Sequence, residues 1–156
     1  MSSLLKAFLV AGVLLSSTPG GADAPRKAAS VVVKSFRELA KTKKGTVVQL
    51  HVAPTGVVAD SPGFLYAEPC DPKDPAIQAR TGLVGTVMVE DIPQPTALAM
   101  NTRNAEEFST HKAITCYRVE ARLKSNQKGE TTLAFISAEP SGSRPYDARL
   151  DPSRGG

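Results

Sequence analysis

The stretch YRVEARLKSNQKGETTLAFISAE, residues 117–139, decides the fold because its pattern is that of a complete β-hairpin. Side chains in its first part alternate between apolar and polar. The predicted inward set is Tyr117, Val119, Ala121 and Leu123, and the predicted outward set is Arg118, Glu120, Arg122 and Lys124. SNQKGE reads as the turn and TTLAFISAE as the returning strand. Alternation with a period of two is typical of a half-buried strand, so the chain is predicted to be mainly β.

Three further strands are predicted upstream of this hairpin. They are TVVQLHVA with its continuation TGVVAD, then FLYAE, and then TGLVGTVMVED, in which Gly85 suggests a bulge. In the first of these, Val48, Leu50 and Val52 share one face, which places His51 outward as a polar surface residue. Between the second and third strands, Asp71 and Asp74 are expected to form turns through side-chain hydrogen bonds.

Two short helices are predicted from capping signals. Ser35 and Glu38 have the spacing of a capping box and open a helix over FRELAK. Asn104 is expected to cap a second helix over AEEFST, with Phe108 as its apolar anchor. The preceding IPQPTALAMNTR is predicted to be a loop that contains at most a brief strand.

The N-terminus has the layout of a cleaved export signal. Lys6 precedes an apolar run from Ala7 to Leu15, and small residues follow. This run is shorter than the roughly 20 residues that a membrane-spanning helix requires. We therefore predict a signal peptide over residues 1–22, one exported domain over residues 23–139, and a disordered tail over residues 140–156, where apolar residues are scarce. An uncleaved anchor and an organelle transit peptide are the alternatives.

Export also determines how the two cysteines are interpreted. Cys70 and Cys116 are predicted to form one disulfide, with a closed loop that stabilises the fold by about 4 kcal/mol in the chain-entropy model. A redox or metal role has less support, because the chain has no CxxC motif and neither His51 nor His111 lies in a ligand spacing. No metal or cofactor is predicted.

Five strands with a helix between the third and fourth follow the order of an OB-fold. In SFRELAKTKKGTVVQLHVAPTGVVADSPGFLYAE and YRVEARLKSNQKGETTLAFISAEP, the chain resembles secreted bacterial OB-fold proteins and their nucleic-acid-binding relatives. This resemblance implies a small five-stranded OB-like barrel whose ligand face lies on the second and third strands and the flanking loops. An immunoglobulin-like β-sandwich is the alternative architecture.

Phe64 and Tyr66 are the candidate contact residues of that ligand face. They share one side of the FLYAE strand, and Leu65 lies on the other side. With Leu65 inward, the two aromatic rings would be exposed and able to stack on bases or sugars; with Leu65 outward, they would be core residues. The candidate basic residues around them are Lys43, Lys44, Arg118 and Arg122.

The predicted function is that of an exported, non-catalytic binding module. Its ligand would be an oligonucleotide, an oligosaccharide or a peptide, so the expected partners are nucleic acid, glycan or an envelope protein. Removing Lys6 with the signal leaves 18 basic against 15 acidic residues, a net charge of +3, which is a weak field for nucleic acid. A structural or partner-binding envelope protein is the alternative. A small exported enzyme is a third hypothesis, although the chain has none of the common catalytic motifs.

The signal and cysteine predictions are tested together by intact-mass measurement of the exported protein. We expect the mature chain to begin near Asp23, and we expect no thiol to be alkylated before reduction. A mass that still includes residues 1–22, or alkylation of the unreduced protein, would contradict the respective prediction.

Overall fold

The computed structural model describes residues 29–78, 86–127 and 130–148. In order, its elements are β1 (Val31–Val32), a 3-10 helix (Phe36–Lys41), β2 (Val47–Val58), β3 (Gly63–Pro69), α1 (Pro75–Gln78), β4 (Val87–Ile92), α2 (Gln94–Ser109), β5 (Ile114–Gln127) and β6 (Glu130–Arg144). The predicted signal peptide, the predicted bulge at Gly85 and the last eight residues of the predicted tail lie outside the described residues.

Five of the strands form a closed ring. Strand β2 pairs with β5 over Val47–Val52 and with β3 over Val52–Val58. The ring is completed by the antiparallel pairs β3–β4 and β5–β6 and by the parallel pair β4–β6. Helix α2 lies between the third and fourth ring strands, and β1 adds in parallel to β2. The predicted mainly β fold with short helices is confirmed, and its strands close into a ring. The described strands form one sheet, unlike the two sheets of a sandwich.

The interior of the ring is filled by the predicted inward faces. Val48, Leu50 and Val52 of β2 are at most 1 % exposed. The inward set of β5 is likewise buried: Tyr117, Val119, Ala121 and Leu123. Burial of these aliphatic side chains supplies the main driving force for closing the ring.

Glu120 corrects one part of the predicted pattern. It was expected to be a solvated outward residue of β5, but it is only 7 % exposed. Strand β5 has neighbours on both sides here, and Glu120 is flanked by Gln49 of β2 and Ser137 of β6. Alternation along one strand predicts which face a side chain occupies, but not how far its neighbours cover it.

Helix α2 corrects the prediction for residues 92–110. The structure has one helix over Gln94–Ser109 in place of a loop followed by a short helix. Pro95 lies in the first turn of the helix. Its pyrrolidine ring fixes a helical φ, and the N–H that proline lacks would have no intrahelical partner at this position. Asn104 is therefore inside the helix and not its N-cap, and its amide donates to the Pro54 carbonyl oxygen at 3.3 Å. Within the described ranges no helix is both long and apolar enough to span a bilayer.

Packing of α2 closes one end of the ring. Ala97 and Met100 belong to the main core, and a Cβ added to Gly63 would lie 2.5 Å from the Ala97 Cβ. The glycine therefore allows helix and strand to approach closely. Farther along α2, Phe108 packs in a second cluster with the Cys70–Cys116 disulfide, which confirms the predicted bridge.

The 3-10 helix begins at the predicted capping residue. The Ser35 hydroxyl accepts the Arg37 N–H at 3.4 Å, and the Glu38 carboxylate accepts the Lys34 N–H at 3.2 Å. Both bonds of the capping box are therefore shifted by one residue toward the N-terminus, since a regular box uses the N–H groups of Glu38 and Ser35. Both bonds still satisfy backbone donors that have no partner inside the helix.

The carboxylate of Asp74 joins this helix to the segment after β3. It accepts the Ala76 N–H at 2.8 Å, the Ser35 hydroxyl at 3.0 Å and the Phe36 N–H at 3.3 Å. Asp71 forms the predicted turn by accepting the Lys73 N–H at 2.8 Å. The predicted side-chain turns at Asp71 and Asp74 are confirmed, and Asp74 additionally fixes the 3-10 helix to the loop.

Strand β6 continues beyond the predicted end of the domain. It was expected to end at Glu139 with a disordered tail from Pro140, but it pairs with β5 as far as Arg144. The Arg144 guanidinium is 2 % exposed and lies 3.4 Å from the Glu68 carboxylate and 3.6 Å from the Asp147 carboxylate. It also donates to the Pro69 carbonyl oxygen at 2.9 Å. Backbone pairing and a buried ion pair order this segment. The prediction of disorder rested on the scarcity of apolar residues and took account of neither interaction.

The Arg144→Met variant tests the importance of this ion pair. We expect a loss of about 3–5 kcal/mol in the free energy of unfolding, because two carboxylates lose a buried cation. Arg118→Met is the matched control on β5, since its ion pair with Glu139 is about half exposed and is expected to contribute about 0–1 kcal/mol. Urea unfolding measures both values. Equal losses in the two variants would contradict the buried role of Arg144.

Candidate functional site

Phe64 and Tyr66 lie on the outer surface of the ring. Leu65 is fully buried between them, Tyr66 is 45 % exposed, and Phe64 is half-buried. The two rings meet edge to face, with centroids 5.8 Å apart. Such a pair contributes about 0.5–1.5 kcal/mol beyond burial, so Phe64 restricts the orientation of the exposed Tyr66 ring. Of the two placements left open by the sequence, the core placement is wrong.

The neighbours of Tyr66 leave its ring accessible. In the register of the sheet Tyr66 lies between Gly56 of β2 and Met88 of β4. Gly56 has no side chain, and a Cβ built there would contact nothing within 4 Å. Met88 is half-buried beside the tyrosine. We call the surface formed by Phe64, Tyr66, Met88 and Gly56 the aromatic platform.

Acidic residues border the aromatic platform. Glu90 and Asp91 follow Met88 on β4, and Asp91 has a φ of 60°, a left-handed conformation that aspartate tolerates better than most residues. The Lys124 ammonium lies 2.5 Å from Glu90 and 3.9 Å from Asp91. The hydrogen bond to Glu90 raises the pKa of Lys124 above its usual value. Two carboxylates against one ammonium leave this border acidic.

The four predicted basic residues do not join the aromatic pair. Arg118 is bound by the Glu139 carboxylate at 2.8 Å, and Arg122 donates to the Gly45 carbonyl oxygen at 3.0 Å. Both lie on β5, which is not a neighbour of β3 in the ring. Lys43 and Lys44 are exposed between the 3-10 helix and β2. The structure therefore does not bring the four predicted basic residues together with the aromatic pair in one site.

His51 lies close to the disulfide. Its ring nitrogen and the sulfurs of Cys70 and Cys116 are within 4.8 Å of one another. The two sulfurs are bonded to each other, so they are not the thiolates that bind metal ions. The exposed His51 ring hydrogen-bonds the Ser141 carbonyl oxygen, in agreement with its predicted outward, polar role.

A concave surface lies between α2 and β6, and we call it the α2–β6 groove. Its volume is about 360 Å³, and it is lined by Pro95, Thr96, Ala99, Met100, Arg103, Tyr117, Ala138 and Pro140. Burial raises the pKa of the Tyr117 phenol, and the Glu107 carboxylate adds to this rise, whereas the Arg103 guanidinium opposes it. Sequence reasoning missed the groove because it placed Arg103 in a loop and treated Tyr117 as a core residue only.

Comparison with known proteins adds no family to this geometry. No protein family and no curated protein matches the chain. Assignment of function therefore depends on the two surfaces. The aromatic platform offers a ring face beside hydrogen-bond acceptors, and the α2–β6 groove offers apolar walls beside a cation and a phenol.

The environment of Tyr117 predicts a pH dependence. Because the pKa of Tyr117 is raised, the folded chain keeps the phenolic proton at pH values just above about 10, where the unfolded chain loses it. The free energy of unfolding should therefore decrease as the pH rises from about 10 through the pKa of the folded chain. NMR of ring-labelled tyrosine, assigned with Tyr117→Phe, measures this titration in the folded chain and in the chain unfolded by urea. Arg103→Gln should raise the pKa further. A folded Tyr117 that titrates at or below its unfolded value would contradict the prediction.

Proposed function

We propose that this chain is an exported, non-catalytic binding module of the OB-like type whose ligand face is the aromatic platform. The observation that carries the proposal is the exposed Tyr66 ring, held edge to face by Phe64 on the outer side of β3. Strands β3 and β4 are the second and third strands of the ring. That is the position of the ligand face in OB-folds, where loops at its ends complete the site.

The charges around the platform favour a neutral oligosaccharide over a nucleic acid. A nucleic-acid strand stacked on Tyr66 would bring its phosphates toward Glu90 and Asp91, which repel them. The cations that would bind phosphate, Arg118 and Arg122, lie on β5 and are engaged elsewhere. A sugar ring instead presents C–H groups to the tyrosine and hydroxyl groups to the carboxylates.

Binding without catalysis agrees with the arrangement of these carboxylates. A glycosidase needs two carboxyl groups on opposite sides of the scissile bond, one acting as an acid and the other as a base or nucleophile. Glu90 and Asp91 are adjacent in sequence, and the Lys124 ammonium contacts both of them. We therefore assign them to ligand binding and not to an acid/base pair.

The alternative function, a partner-binding envelope protein, is supported by β1. Val31 and Val32 are 50 % and 60 % exposed, and in the described sheet β1 pairs only with β2. A strand with an open edge and exposed valines could receive a strand of another chain.

The proposal is tested by titrating the oxidised protein with tri-N-acetylchitotriose, cellotriose and maltotriose and measuring binding calorimetrically. We expect at least one of these neutral trisaccharides to bind and Tyr66→Ala to weaken that binding roughly 5- to 100-fold, the range for loss of one stacking contact. Leu98→Ala is the matched control, since Leu98 is 54 % exposed on α2, away from the platform.

A single-stranded oligonucleotide in the same titration separates the two ligand classes. Binding of the oligonucleotide without any trisaccharide would contradict the charge argument. Absence of binding by every probe, or equal binding by the wild type and Tyr66→Ala, would reject the platform and favour the partner-binding alternative.

A further inference from the structure

The α2–β6 groove is a site separate from the aromatic platform. Helix α2 packs mainly against β2, β5 and β3, and it leaves the groove open between its own side chains and those of β6. Thr96, Ala99 and Arg103 are spaced three and four residues apart and so share one face of the helix. Ala138 and Pro140 of β6 form the opposite wall.

Two polar groups converge on the otherwise apolar lining of the groove. Tyr117 and Arg103 both line the groove, and Tyr117 is 6 % exposed. The Arg103 guanidinium acts to lower the pKa of the phenol, against the effect of burial. Arginine has only donors, and the phenol O–H of Tyr117 can donate as well. A carboxylate placed here would receive donors from both side chains.

Arg103 has charge available for such a ligand. Among the described residues, no carboxylate forms an ion pair with its guanidinium. Two carboxylates follow on the helix, three and four residues after Arg103. The first, Glu106, lies 3.7 Å from the Lys112 ammonium. The second is Glu107. Its oxygens are held by the N–H of Thr115, at 2.9 Å, and by the Thr115 hydroxyl. Glu107 is thus directed toward the start of β5.

The dimensions of the groove suit a small molecule better than a polypeptide. A volume of about 360 Å³ lies at the lower end of ligand cavities, which are predominantly apolar with a few polar groups that fix orientation. Such a space accommodates one ring or short chain against Ala99 and Pro140. The positive charge of Arg103 favours an anionic ligand, and the planar guanidinium can donate two parallel hydrogen bonds to a carboxylate.

We propose that the α2–β6 groove binds a small carboxylic acid with one apolar ring or short chain, its carboxylate held by Arg103 and Tyr117. Arg103 supplies the charge and Tyr117 the hydroxyl. The apolar part of the ligand packs between α2 and β6. This site is independent of the aromatic platform and of the ligand proposed for it.

The experiment compares phenylacetate with phenylacetamide, which has the same shape and no charge. Binding to the oxidised protein is measured by calorimetry and located by amide shifts in NMR. We expect phenylacetate to bind roughly tenfold or more tightly than the amide, the range for hydrogen bonds to a charged group. The largest shifts should fall at Thr96, Ala99 and Tyr117.

Two variants and a matched control test the residue assignment. Arg103→Gln should remove the preference for the carboxylate, and Ala99→Leu should weaken both probes by filling the groove while keeping a good helix former. Arg118→Gln, an exposed arginine on β5 outside the groove, should change neither. Circular dichroism of each variant confirms that it is folded.

Several outcomes would overturn the proposal. They are no binding of phenylacetate, equal binding of the amide, retention of the preference in folded Arg103→Gln, and shifts confined to the aromatic platform. An acetylated tetrapeptide ending in phenylalanine is the last arm. If it binds tenfold or more tightly than phenylacetate, the groove is a site for a peptide carboxyl terminus and the small-molecule assignment is wrong.

Discussion

The double pairing of β2 is the constraint on which the rest of the structure depends. This single strand pairs with β5 along its first half and with β3 along its second half, and the register of the β3 pairing shifts between Pro54 and Gly56. Because β2 pairs with both β3 and β5, the two ends of the run β3–β4–β6–β5 meet on it, so the ring closes and its inward side chains face each other. The ends of the ring then remain to be covered, and α2 covers one of them through the close contact of Ala97 with Gly63.

The parts of the fold that the sequence predicts are those governed by local periodicity. Alternation along residues 117–124 placed the inward face of β5 correctly, and the capping spacing at Ser35 placed the 3-10 helix. Helix α2 was missed because its buried stripe is Ala97, Met100, Asn104 and Phe108. These positions have helical spacing, but alanine and asparagine add little to an apolar pattern. The end of β6 was missed because a buried ion pair of Arg144 orders it, and such a pair leaves no apolar pattern in the sequence.

The candidate site could be predicted only in part, for a topological reason. Alternation put Phe64 and Tyr66 on one face of their strand, but only the buried Leu65 decides that this face is the outer one. Patterning along the chain also says nothing about which side of a closed ring a strand occupies. Arg118 and Arg122 therefore appeared compatible with the aromatic pair, although β5 and β3 are not neighbours. The groove was hidden for a similar reason, since Arg103 and Tyr117 meet only when α2 is formed.

The disulfide has a consequence for the connectivity of the molecule. Cys70 follows β3 and Cys116 lies near the start of β5, so the covalent loop between them contains α1, β4 and α2. A backbone cut between α1 and β4 would leave one piece with β2 and β3 and another with the remaining ring strands, still joined by sulfur. Reassembly of the ring from these pieces would be intramolecular, with an effective concentration set by the tether. Refolding of such a nicked, oxidised chain is then independent of protein concentration.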